Sequence, residues 1–396
     1  RLTALENLLD ESMRLHLISD VPVGFLLSGG VDSSALLDIA HRQNGGEQLK
    51  CFTIGFAGES FEDERHYARL VAERLGLTHF QTTISREEFF ATLPTFLWHL
   101  EEPICEPPAI ALYFVSKLAR EHVKVVISGE GGDEAFAGYP NYRNNMLFER
   151  AKAVLGRNGS RLMSRLLSGV KDQRVAKYVR HFQMPLDSYY YSRTSSPCAM
   201  LAGMRGELLR TADAETGAPE AAEDVIARHF AKMNGANILD KMLYVDTVTW
   251  LPDDLLLKAD KITMAHSLEL RVPLLDHMVM QFAASLPPRD KVRGMATKYI
   301  LKKAFEGRVP TEVLRRRKSG FPVPYERWMQ EKKSMIWEVL LDGRTLKRGF
   351  FNASILTDKV YRRLNGNERL PKELFSLFIL ELWARLFLDG STVTLN

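Results

Sequence analysis

Cysteine is scarce in this chain of 396 residues: Cys51, Cys105 and Cys198 stand alone, with no CxxC spacing and no even set to pair. That count excludes a disulfide framework and a thiolate zinc site, and a reducing, cytoplasmic setting is the expectation. None of the ten histidines falls in an HExxH or HxxxH pattern, so a transition-metal site has no sequence support. Long apolar runs are missing too. The most apolar stretch, Leu374 to Leu388, is broken by Glu381 and Arg385 and is too short to span a bilayer; it reads as a buried C-terminal helix. Charge of one sign is also lacking: 53 basic and 49 acidic residues leave a net +4, too even a balance to argue for nucleic acid or an anionic membrane as partner. No signal peptide is visible, and the chain opens on Arg1 rather than Met, so a fragment of a longer protein is the expectation. With 45% hydrophobic and 26% charged residues the composition is that of a soluble globular protein, and the length points to two domains.

What is present is organised around LLSGGVDSS, Leu26 to Ser34. An apolar run from Val23 enters a turn with two glycines, and an apolar-periodic segment, Ala35 to Ala40, follows: strand, tight loop, helix. Gly29 and Gly30 lack Cβ, so the backbone can adopt positive φ and turn its N–H groups toward one point. Those amides, the hydroxyls of Ser28, Ser33 and Ser34, and the positive end of the following helix would hold a phosphate-sized anion. Asp32 is the odd member, because a carboxylate repels phosphate unless a divalent cation lies between them. Magnesium pyrophosphate meets that requirement. The Walker loop, with its Lys, and the GxGxxG fingerprint are both absent. SGGxDSS instead resembles the pyrophosphate loop of the ATP pyrophosphatases.

Around this loop the chain alternates. A helix over residues 2 to 18 precedes the first strand; Lys50 to Phe56 and His79 to Ile84 read as strands, Phe61 to Gly76 as a helix between them. Helices around Glu87 to His99 and Ile110 to His122 lead to a strand, Val123 to Ser128. This argues for an α/β protein with a doubly wound parallel sheet. The fourth strand runs into a second Gly-rich turn, SGEGGDEAFAGY, with Glu130, Asp133 and Glu134 within five residues. Carboxylates packed so closely make sense if they share a cation or if one accepts a proton. Beyond Asn145 the sequence turns helical, with a flexible-looking stretch from Thr211 to Ala222. In Leu251 to Asp276 charges interleave with apolar residues, either as a helix with one wet face or as an ion-paired wall beside a ligand. Gly294 to Gly307 is amphipathic with Lys298 near its start, and Arg315 to Trp328 joins a basic run to a Gly-Phe-Pro turn.

Taken together, DVPVGFLLSGGVDSSALL, FTIGF, SGEGGDEAFAGY, LPDDLLLKADKITMAHSLELRVPLLD, TKYILKKAF and KSGFPVP resemble the synthetase domain of the bacterial, glutamine-hydrolysing asparagine synthetases. The resemblance implies an ATP-pyrophosphatase core over 1–145, a helical insertion over 146–237, a helical segment completing the active site over 238–330 and a helical extension over 331–396. It implies magnesium ATP as the cofactor, aspartate or a related acid and ammonia as substrates, and a homodimer as the candidate assembly. On this resemblance Leu26, Ser28, Ile54, Ser128 and Gly129 would contact adenosine and the α-phosphate. Asp32 and Asp133 would hold magnesium, Lys298 would stabilise charge on the transferring phosphate, and Glu130 would take a proton during attack on the acyl-adenylate. Related β-lactam-forming enzymes carry Tyr in place of Glu130, so Glu130 favours an ammonia acceptor.

Two departures stand against this pattern. Nothing here matches the family's N-terminal glutaminase domain, so that activity is expected on a removed domain or another chain, or free ammonia is used. The loop Glu101 to Tyr113 matches the family's acidic loop only loosely, which leaves the acid open: aspartate, or a sugar acid, peptide or secondary metabolite. An RNA-modifying pyrophosphatase would call for a catalytic Cys pair or a strongly basic face, and the sequence has neither. A non-catalytic scaffold is disfavoured by the joint presence of Asp32, Glu130, Asp133 and Lys298.

Overall fold

The computed structural model describes residues 1–44, 49–57, 64–104, 106–167, 181–182, 184–190, 205–209, 222–316, 323–362, 365 and 372–395. Cys105, Cys198, residues 211–221 and the Gly-Phe-Pro turn at 320–322 lie outside the described residues. The chain divides into two compact units, one formed by Arg1–Pro140, Thr247–Trp328 and Leu382–Asn396, the other by Asn141–Asp246 and Met329–Glu381.

The first unit holds a five-stranded, all-parallel sheet: β1 (Val23–Leu26), β2 (Lys50–Phe56), β3 (Thr78–Ile84), β4 (Val125–Ile127) and β5 (Glu269–Arg271), in the order β3-β2-β1-β4-β5. Register follows Phe25↔Cys51 on one side of β1 and Phe25↔Ile127 on the other. β1, β2 and β4 are short apolar runs, as strands covered on both faces require. The first four strands match the sequence expectation. The fifth does not: Glu269–Arg271 lies in a stretch expected to be helical, and three residues carry no period. Its partner decides it, through Val125↔Glu269 and Ile127↔Arg271.

The order reverses at β1, which places the loops after β1 and β4 side by side at the carboxyl ends of adjacent strands. That crevice is where open parallel sheets bind ligands. Around the sheet run α1 (Leu2–His16), α2 (Val31–Gln43), α3 (Glu64–Arg74), α4 (Arg86–Leu100), α5 (Pro107–Arg120) and the single-turn α6 (Gly132–Phe136). In α1, Leu5, Leu9 and Met13 recur every four residues, so they share one face, and all three are buried. They join Phe25, Leu36, Ile39, Phe136, Leu301 and Phe305 in one apolar cluster beneath the two loops. α4 opens with a reciprocal cap, Glu88 N–H donating to Ser85 Oγ at 3.2 Å and Ser85 N–H to Glu88 Oε2 at 2.8 Å.

In the second unit, helix Pro140–Leu167 is interrupted at Gly156, whose φ of 64° and ψ of −177° no helix can hold. The unit has polar interior fastenings. Tyr142 and Tyr190 both donate to Asp246 Oδ2, at 2.5 and 2.7 Å. Arg348 donates through Nε and Nη2 to the two carboxylate oxygens of Glu381 at 2.9 and 3.0 Å. The apolar C-terminal run forms helix Lys372–Phe387, whose residues up to Glu381 belong to this unit, with Leu374, Phe378 and Ile379 buried. Among the described residues no helix is long and apolar enough to cross a membrane.

Candidate active site

The Ser28–Gly30 loop is shaped by what presses on it. Gly29 sits at φ 65°, and a Cβ there would stand 2.6 Å from Ala68 N and 2.7 Å from Tyr67 Cβ on α3. Conformation and space both demand glycine at that position. Gly30, extended at φ −87° and ψ 168°, caps α2 without a side chain. Its N–H donates to Ser28 Oγ at 3.3 Å, the Ser28 and Ser33 hydroxyls lie 3.2 Å apart, and Ser33 Oγ donates to Gly30 O at 3.4 Å. The hydroxyls thus brace the loop, while the first amides of a thirteen-residue helix face the crevice.

The second loop meets the first directly. A Cβ on Gly129 would lie 2.8 Å from Asp32 Cβ and 2.9 Å from Ser33 N; one on Gly132 would lie 2.6 Å from Asp32 Oδ1. These glycines let the start of α2 and the Ser128–Gly131 turn close on each other around Asp32. Ser128 N–H continues the sheet by donating to Arg271 O at 2.9 Å. Gly131, at φ 82°, starts α6, which delivers Asp133.

Lys298 enters from far along the chain. It caps helix Tyr299–Ala304 in the left-handed region, at φ 52° and ψ 38°, a conformation costing a non-glycine residue on the order of 1 kcal/mol or more. Its Nζ is ion-paired with Asp32 Oδ2 and lies 2.7 Å from Asp133 Oδ1. Asp32, Asp133 and Lys298 are 8%, 6% and 4% exposed, so two carboxylates share one ammonium away from water. Gly138 lies against Asp133 Oδ1 and Lys298 Cε, leaving no room for a side chain.

Two buried polar atoms at this point, Asp32 Oδ1 and Ser34 Oγ, have no hydrogen-bond partner. A polar atom left so costs about 1–3 kcal/mol, a cost that a bound cation or phosphate would offset. Two negative charges, one positive charge and a spare buried carboxylate oxygen suit a hard divalent cation. Among the described residues no set of three or more His, Cys, Asp or Glu side chains could hold one unaided. Magnesium fits that donor set, since it commonly takes one or two carboxylates and completes its shell with water and substrate phosphates.

Of the remaining expected residues, Leu26 ends β1, Ile54 is buried in β2, and Ser128 and Gly129 follow β4; together they line the ends of three adjacent strands. Glu130 is half-buried on the second loop, on the turn that leads to Asp133. Glu134, which the sequence placed among the carboxylates without a role, is buried, and burial first and the Asp133 charge second push it up to about 7. Burial foremost, and then the Lys298 charge, lowers Lys302, the next turn of the Lys298 helix.

The charged stretch from Leu251 resolves into an ion-paired wall. Leu251–Leu256 is a π-helical turn containing Pro252, continued by helix Leu257–Met264. Buried Lys258 stands 3.0 Å from Asp254, 3.7 Å from Glu106 at the start of α5, and 5.8 Å from the Trp250 ring. Lys261 pairs with Glu101 at 2.7 Å, and Asp276 caps helix His277–Ser285. Asp253 and Asp260 are exposed. Both helix Leu257–Met264 and α5 lead into parallel strands, β5 and β4, so their first turns lie at the same sheet edge as the two loops.

Sequence reasoning missed the walling glycines Gly132 and Gly138 and the hydroxyl of Thr53. Thr53 left one trace, as the sole hydroxyl in the apolar strand KCFTIGF.

Residues 4–385 match the Asparagine synthase family model. Over 399 aligned residues the chain is 36% identical to a protein of Mycobacterium tuberculosis provisionally named asparagine synthetase [glutamine-hydrolyzing], covering 97% of this chain and 58% of that protein. Over 339 residues it is 37% identical to asparagine synthetase [glutamine-hydrolyzing] 1 of Bacillus subtilis, covering 85% and 52%. A more distant relative, 26% identical over 80% of this chain and 52% of its own length, is the amidase chyE of Penicillium rubens. The chain spans little more than half the length of these relatives. A family model matched over nearly every residue, and a sheet that brings its SGGVDSS and SGEGGDE loops together around one lysine, make this chain a member of the asparagine synthase family.

Proposed function

We propose that this chain carries out the amide-forming half of asparagine synthesis: the side-chain carboxylate of aspartate displaces pyrophosphate from the α-phosphate of ATP, and ammonia then displaces AMP. The observation that carries the reading is the convergence of Asp32, Asp133 and Lys298 behind two glycine-walled loops at the sheet's switch point.

In this reading the amides of the Ser28–Ser34 segment and the hydroxyls of Ser28, Ser33 and Ser34 hold the phosphates, with Gly29 and Gly30 giving the backbone access. Leu26, Ile54, Ser128 and Gly129 seat the nucleoside at the ends of β1, β2 and β4. Asp32 and Asp133 would hold magnesium, which would neutralise phosphate charge when bound. Lys298 then leaves its carboxylate partners to meet the charge that develops on the α-phosphate and the departing pyrophosphate. Seating carboxylate and nucleotide side by side supplies roughly 7 to 11 kcal/mol of the barrier. Glu130, on the loop after β4, takes the proton that the attacking nitrogen loses as the new C–N bond forms and the acyl–phosphate bond breaks. The names of the relatives include glutamine hydrolysis, and we place the supply of ammonia in a glutaminase domain or chain beyond these residues.

A second acid is favoured by one observation. Glu106, Lys258 and Asp254 build a charged wall at the edge of the sheet where the acid would lie, and a related chain is named an amidase. Pyrophosphate release from magnesium ATP with ammonium chloride, comparing aspartate, no acid and a panel of carboxylates, tests both readings. Aspartate-dependent release with asparagine appearing in step is expected. Release with another acid alone would keep the chemistry and discard aspartate, and ATP binding without release for every acid would count against the chemistry.

A further inference from the structure

The peptide that joins β1 to the phosphate loop is held by a one-way chain of hydrogen bonds. Leu27 N–H donates to Phe52 O at 2.9 Å, the last bond of the β1–β2 ladder. In a continued parallel ladder the Leu27 carbonyl would accept from the Ile54 amide. Instead the buried Thr53 hydroxyl donates to it at 2.5 Å. Thr53 Oγ1 is 2.8 Å from His79 Nε2, and His79 Nδ1 is 3.1 Å from Gln81 Nε2. A carbonyl only accepts, so the single Thr53 proton goes to Leu27. Nε2 must therefore carry the His79 proton, and Nδ1 accepts from the Gln81 amide. Burial first and the Arg69 charge second lower His79 to about 4, so the imidazole is neutral, as this direction requires.

We propose that Thr53 is a positioning residue for the phosphate-binding loop: its hydroxyl, aimed by His79, holds the Leu27 carbonyl toward β2 and thereby points the Ser28 N–H into the anion cradle. The step from one group to the other is covalent. In a planar trans peptide the carbonyl of Leu27 and the N–H of Ser28 point in opposite directions, so fixing one aims the other. Among the described residues the Ser28 N–H has no acceptor, which suits a donor kept for a ligand, and a donor aimed before binding needs no reorganisation. The inference rests on the nucleotide site proposed above.

Thr53→Val keeps the β-branched shape and removes the hydroxyl; Thr53→Ser keeps the hydroxyl. In the ligand-free protein, exchange of the Leu27 amide, which donates to Phe52 O beside the held carbonyl, should quicken in T53V and stay as in wild type in T53S. By calorimetry, the Kd of T53V for magnesium ATP and for magnesium pyrophosphate should rise about tenfold, with T53S within about twofold of wild type. Wild-type exchange and wild-type pyrophosphate affinity in T53V would overturn the proposal. If the wild-type protein bound neither ligand, the proposed function would fall, while the exchange comparison would still decide the role of Thr53. Should T53V not fold, His79→Phe, which removes the donor to Thr53, carries the same exchange test, and wild-type exchange there would overturn it.

Discussion

Lys298 Nζ lies 2.7 Å from Asp133 Oδ1 and also grips Asp32, so a residue from the last third of the chain fills the space between the two carboxylates that the SGGVDSS and SGEGGDE loops contribute. One ammonium against two carboxylates is a charge arrangement waiting for a second cation or for a ligand that draws the lysine away.

Replacing Lys298 with Ala should therefore lower turnover far more than nucleotide affinity. The expected loss in pyrophosphate release is about 10²- to 10³-fold, the scale for a preorganised group aimed at developing charge, with the Kd for magnesium ATP changed only a few-fold. Calorimetry beside a pyrophosphate assay reads both, and equal losses would sink the assignment.

The same variant leaves Asp32 and Asp133 facing each other with no ammonium between them. Manganese, followed by its paramagnetic resonance, should bind the nucleotide-free variant more tightly than the nucleotide-free wild type, where Lys298 already neutralises the pair. Weaker binding in the variant would show that these carboxylates are not a cation site.

Stability should fall in mild acid. His79 and His266 are both lowered to about 4, each by burial first, with Arg69 acting on His79 and His99 and then Lys117 on His266. Below about pH 6.5 the unfolded chain takes up protons that the folded chain refuses, so stability present above that pH is lost progressively down to about pH 4. Urea midpoints should drop across that window, and His79→Gln should flatten the drop. An unchanged slope in the variant would contradict the assignment to His79.

In the second unit, Glu381 is fully buried and paired at two points with Arg348. Glu381→Ala strands a buried guanidinium and should cost about 3–5 kcal/mol, whereas replacing both partners with apolar residues of similar size should cost much less. Denaturant unfolding of the single and double variants makes the comparison.

Much of this was legible one residue at a time. Gly29 and Gly30 announced a tight turn because residues without Cβ leave the backbone free, and Leu5, Leu8, Leu9 and Leu15 announced α1 by their spacing. β1, β2 and β4 stood out as apolar runs between turn residues, and β3 as the strand-like HFQTTI. Asp32 pointed to a cation because a carboxylate in an anion cradle is otherwise repulsive. These are local statements, and local sterics and hydrophobic period suffice to make them. The fifth strand was not legible, because three residues hold no period and Glu269–Arg271 becomes a strand only by pairing with Val125–Ile127. Neither was the partnership of Lys298, since nothing in a lone lysine before a helix tells which distant carboxylates will hold it. The same applies to Gly129, Gly132 and Gly138, whose need to be glycine comes from neighbours brought up by other elements, and to Thr53, whose hydroxyl matters because β1 ends where it does. The sequence alone determined the local shapes and the kind of chemistry they can bear. Which groups meet was decided by the tertiary structure, because charge pairing, close packing and hydrogen-bond direction depend on distances between segments that the chain's order does not specify.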